Sequence, residues 1–107
     1  MDAMGCMLLR ECTKDVQQVF SIGDIADAHP DSDYGIIVDE FHDMLVALNQ
    51  IGVKVFLADE KYFSVLTRGM YQTVHNRLFL NKSFMSRPSA LMAVMRHEGW
   101  HLSLIHI

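Results

Sequence analysis

Proline, cysteine and charge are all scarce in this 107-residue chain. Only 2 prolines and 21% charged residues, set against a 50% apolar content, exclude a disordered or proline-rich extended chain. The 2 cysteines, Cys6 and Cys12, are too few for a disulfide framework, and they suit free thiols or one local disulfide better than a metal site. Positive charge is in deficit, 9 Lys+Arg against 13 Asp+Glu, so the chain has no basic footprint for nucleic acid. No apolar run reaches the roughly 18 residues of a membrane span. Residues 1–9 lack the basic start and the length of a secretory signal, and no apolar stretch precedes residues 3–6, where a lipoprotein processing site would need one. A soluble chain of one domain is expected, its compartment unspecified.

Residues 1–32 read as an irregular lead-in with at most one short helix, its aspartates solvated. Asp31-Ser32-Asp33 does not continue as a calcium loop, because Tyr34 and Gly35 follow and position 42 is His where that loop needs Glu. From Asp33 the spacing of Ile37, Phe41, Met44, Leu45, Leu48 and Ile51 predicts a helix, capped by Ser32 or Asp33 and stopped by Gly52. Residues 53–58 alternate and are rich in β-branched and aromatic side chains, which predicts a strand. After a loop over 59–68, residues 69–72 and 77–81 read as a hairpin. Pro88 then opens a final helix in which Arg96 is the only charged residue from 90 to 97, and apolar residues all round predict that it is buried. Eight methionines serve as core filler and Trp100 as a packing anchor.

The final six residues, Leu-Ser-Leu-Ile-His-Ile, are also the translation of the transposon mosaic end used in sequencing-library preparation. On that reading residues 102–107 are an adaptor scar, the natural frame continues past His101, and His106 carries no functional weight. The domain proper is then residues 33–101, and the chain a fragment.

Chemistry concentrates in His97-Glu98-Gly99-Trp100-His101, an H-E-x-x-H sequence. A helical residue turns about 100°, so His97 and His101 lie about 40° apart on one face, where two imidazoles can grip one metal ion. Glu98 lies about 60° from His101, beside that site, where it can take a proton from a bound water. The competing account is two core histidines bonded to carbonyls beside a surface Glu. His42, on a helix flank, and His75, in the hairpin turn, are weaker candidates for ligation.

The order of strand, Gly69-x-Tyr71 hairpin, aliphatic second strand ending in Asn81, and a helix with HExxH resembles the minimal core of zincin-type zinc metallopeptidases. The Arg96-His97-Glu98 wording is also similar to small metallopeptidase-like proteins of marine phages. The resemblance covers about residues 34–101 and implies an α+β fold: a helix, a small mostly antiparallel sheet, and a buried C-terminal helix carrying the motif. It implies Zn2+ held by His97 and His101, Glu98 as general base and proton shuttle, and a peptide or protein substrate. It further implies that the strand nearest the catalytic helix, taken as residues 77–81, pairs with extended substrate. A catalytic zinc takes three protein ligands, and Leu104 and Ile107 stand where the extended motif has Gly and His. With two ligands in hand the chain is expected to bind zinc weakly and hydrolyse little. The alternative function is a non-catalytic interaction or structural module whose HExxH helix is metal-stabilised or simply core.

Overall fold

A computed structural model describes residues 15–105, with side chains described up to residue 102. The elements run β1 (Val16–Gln18), α1 (Ile22–Ala28), α2 (Val38–Gln50), β2 (Lys54–Ala58), β3 (Gly69–Gln72), β4 (Arg77–Asn81) and α3 (Pro88–Ile105), with 3-10 turns over 35–37, 60–62 and 82–84. The fold is α+β, with three helices and one four-stranded sheet among the described residues. The strand order is β1-β2-β4-β3. β2 and β4 pair in parallel, Val55 opposite Leu78 and Leu57 opposite Leu80, while β1 and β3 flank them antiparallel. The crossover from β2 to β4 holds β3 itself, so the hairpin folds outward and leaves β3 on the edge.

Strand alternation divides the sheet into two faces. Val55, Leu57, Leu78 and Leu80 face the helices and meet Phe41, Leu45 and Leu48 of α2 and Leu91, Met92 and Met95 of α3. Ala58, Phe79 and Tyr62 form a smaller cluster on the opposite face, closed by Phe56 and Phe63. α2 ends in a Schellman motif: Val53 N–H donates to the Leu48 carbonyl at 2.9 Å and Gly52 N–H to that of Asn49 at 3.0 Å. Gly52 takes φ of +82°, a conformation that favours glycine.

Several expectations change. The described part of the lead-in, residues 15–32, is ordered: β1 pairs with β2, and Ile25 of α1 is fully buried. The Asp24 carboxylate, expected to be solvated, accepts from the backbone N–H groups of Phe20 and Ser21 at 2.7 and 3.2 Å and so caps α1. α2 begins at Val38 instead of near Asp33, because Asp33 Oδ1 accepts from Gly35 N–H at 2.9 Å and residues 35–37 form a 3-10 turn first. The last helix is buried on one side only. Leu91, Met92, Val94, Met95 and Leu102 enter the core, but Ala93, Arg96, His97 and His101 face solvent. Its other apolar residues are mostly small, Ala90, Ala93 and Gly99, and lose little by exposure. Trp100 is 63% exposed and anchors no core. Cys6, Cys12, residues 3–6 and His106 lie outside the described residues.

Candidate metal centre

Packing at one glycine sets the position of the HExxH helix. A methyl placed on Gly69 of β3 would stand 2.8 Å from Val94 Cγ1 and 3.9 Å from Glu98 Cγ. The bare backbone at 69 therefore lets α3 settle against the sheet edge at the turn that carries Glu98. On the other side of α3, Arg96 reaches α2, with Nη2 2.7 Å and Nε 2.9 Å from Glu40 Oε1. Arg96 is thus drawn away from His97 despite adjoining it in sequence.

His97 and His101 both face solvent, with ring centroids 4.5 Å apart and planes at 74°. Two imidazoles on one tetrahedral ion hold their centroids roughly 5 Å apart, given metal–nitrogen bonds of about 2.0–2.1 Å. The observed separation is about half an ångström shorter than that. Among the described residues no group of three His, Cys, Asp or Glu side chains is placed to hold a metal ion. His29 bonds the Lys82 carbonyl through Nε2 at 2.7 Å, and His42 and His75 are exposed on α2 and in the hairpin turn. Glu98 is half-buried and lines a cavity of about 300 Å³ with His97, Val94, Leu66 and Arg68.

The opposite wall of this cavity is the loop before β3. Leu66 is 78% exposed and takes φ of +66°, a left-handed conformation uncommon for such a side chain. Asn81 fixes the loop from the end of β4. Only 2% exposed, it donates through Nδ2 to the Thr67 carbonyl at 2.8 Å, and its backbone N–H donates to the Arg68 carbonyl at 2.8 Å. Its Oδ1 accepts from the Ser83 N–H and hydroxyl at 3.2 and 2.9 Å. One buried amide thus joins the loop over the cavity to the chain entering α3. An Asn closing a strand before a polar pair is an Asx-turn signal, and it is the one sequence mark of this latch. Leu66 and Arg68 carry no comparable mark.

Residues 77–81, expected to pair with substrate, have no free edge, because β4 lies between β2 and β3. The open edge beside α3 belongs to Gly69–Gln72, whose backbone pairs on one side only among the described residues. No helix among the described residues is long and apolar enough to cross a membrane. No protein-family model, curated protein or solved structure matches the chain.

Proposed function

We propose that this chain is a module of a zinc-dependent peptidase. The observation that carries the reading is the solvent-facing pair His97 and His101 on α3, with Glu98 beside them in a cavity next to an unpaired strand edge. His97 and His101 would hold a divalent ion, which when bound would supply an acidified water and polarise the scissile carbonyl. Glu98 accepts the proton of the attacking water and returns it to the leaving nitrogen, a shuttle that its position one residue after His97 permits. The edge of β3 receives the peptide by strand addition, with main-chain hydrogen bonds holding it extended past Glu98. His97 and His101 supply two ligands, and a third protein ligand is not among the described residues.

Zinc content measured by equilibrium dialysis, together with hydrolysis of a quenched peptide by a form of the protein that supplies the third ligand, tests this reading. Glu98→Gln is expected to keep the metal and lose hydrolysis, while His97→Ala loses both. Equal zinc content in wild type and His97→Ala would refute it. The two-donor count favours one second reading, a non-catalytic module in which the pair binds metal weakly and only stabilises α3. For that module Glu98→Gln has no effect, whereas zinc still raises the melting temperature of the wild type and not of His97→Ala.

A further inference from the structure

A second cavity, about 500 Å³, opens along α3 from the first. Its lining includes Arg68, Arg87, Ser83, Ser86 and Ser89 over the ring of Phe84, and no carboxylate. A chain of net charge -4 thus gathers two of its 9 basic residues around one hollow. Neither arginine makes an ion pair with a described residue, although other basic side chains do: Lys61 pairs with Asp15 and Arg96 with Glu40. Arg68 lies over Phe84, its guanidinium carbon 5.5 Å from the ring centroid, within cation–π range. The Ser83 hydroxyl is committed to Asn81, whereas those of Ser86 and Ser89 have no partner among the described residues. Two guanidinium groups and two unpartnered hydroxyls lining one cavity match an oxyanion, which accepts several charge-assisted hydrogen bonds at once.

The two cavities share Arg68 and Ala93, so a ligand can extend from one into the other. Ala90, on the wall of the second, precedes His97 by seven residues, about 10 Å along the helix axis. An extended peptide covers that span in about three residues.

We infer that the Arg68–Arg87 cavity is an acidic-residue subsite: it takes a carboxylate or phosphoryl group borne by an extended peptide about three residues from the point where that peptide passes His97. The peptide rests on the reading of the site given above, whereas the anion rests on the cavity alone. Fluorescence polarisation of the full chain tests the inference, with labelled peptides identical except for a single Glu, phosphoserine or Gln. The Glu or the phosphoserine peptide, or both, should bind at least about tenfold tighter than the Gln peptide, and the advantage should shrink as salt is raised. The stronger of the two acidic probes identifies the anion. Arg68→Gln with Arg87→Gln should abolish the advantage, and because both side chains are exposed, the thermal melt should be preserved as a control on folding. Equal affinity for all three peptides, no binding of any, or a preference that survives the double substitution would overturn the inference. Glu98→Gln should leave the preference intact. An acid preference without zinc binding at His97 and His101 sinks only the peptidase reading, and zinc binding without the preference sinks only this one.

Discussion

Gly69 and Val94 should behave as a coupled pair, and a double-mutant cycle measures the coupling. In Gly69→Ala the new methyl meets Val94 Cγ1 at 2.8 Å, where ordinary contact begins near 3.4 Å. Val94 is 8% exposed and part of the core, and its β-branched side chain is stiff in a helix, so it has little room to turn. Overpacking of this kind costs about 2 kcal/mol, offset by about 0.5–1 kcal/mol from the reduced freedom of the unfolded chain. A net loss of about 1–1.5 kcal/mol is expected. Val94→Ala alone removes two buried carbon groups, about 1.6 kcal/mol, and regains about 0.5 kcal/mol in helix propensity. In the double variant the clash is gone, so Gly69→Ala should turn neutral or stabilising by up to about 1 kcal/mol. The coupling energy is then about 2 kcal/mol, far above the usual departure from additivity. Urea unfolding of the four proteins reads it directly, and the thermal shift should be about 4–8 °C per kcal/mol. If Gly69→Ala costs the same in both backgrounds, α3 does not rest on β3 at residue 69, and the placement of Glu98 argued from that contact fails with it.

The other glycine of interest should behave oppositely: a methyl on Gly99 would lie 3.6 Å from Met44 Cε, an ordinary contact, so Gly99→Ala in mid-helix should stabilise by about 0.5–1 kcal/mol in the same assay. Asn81→Ala removes a buried amide with three side-chain hydrogen bonds and should cost about 2–3 kcal/mol by urea unfolding, with faster amide exchange over 66–68. Tyr34→Phe strands the Met85 carbonyl, which the phenol reaches at 2.6 Å, and should cost about 1–2 kcal/mol. Burial raises the pKa of Tyr34, Tyr62 and the half-buried Tyr71, and the Asp15 carboxylate beside Tyr62 raises that one further. The fold therefore favours the neutral phenols, whose contribution is present below about pH 10 and lost as pH rises through the folded values. Absorbance at the tyrosinate band should show all 3 tyrosines ionising later in the native than in the urea-unfolded chain. A coincident titration would refute the burial argument.

Local periodicity made the helices and strands legible where a single face is buried. The stripe from Ile37 to Leu48, the Gly52 stop and the alternation before Ala58 each follow from contacts within a few residues. What went unread depends on distant partners. β1 is three residues long, and the reason it is a strand lies 42 residues away in β2, where Val16 meets Ala58. Asp24 looked like a solvated charge because a capping carboxylate and a loose one have the same composition around them. The parallel pairing of β2 with β4 needs the hairpin strand β3 on the far side, and no property of residues 77–81 alone distinguishes an internal strand from an edge.

The site divides in the same way. The four-residue spacing of His97 and His101 is a property of one helix, so their shared face was readable before any packing was known. Their exposure was not, because Ala, Gly and Met look equally apolar in a list while only the large side chains gain much by facing the sheet. The same helix therefore offers a core seam through Leu91 and Met95 and, about half a turn around, a polar face free for a ligand. That separation is what makes the metal reading testable by substitution: His97 and His101 contribute little to the core, so losing either imidazole should leave the unfolding free energy in chelator unchanged to within about 0.5 kcal/mol. A His97→Ala variant that is much less stable in chelator would show that the imidazole is structural in the metal-free fold, and a zinc-dependent gap that opens between it and wild type would be the signature of ligation.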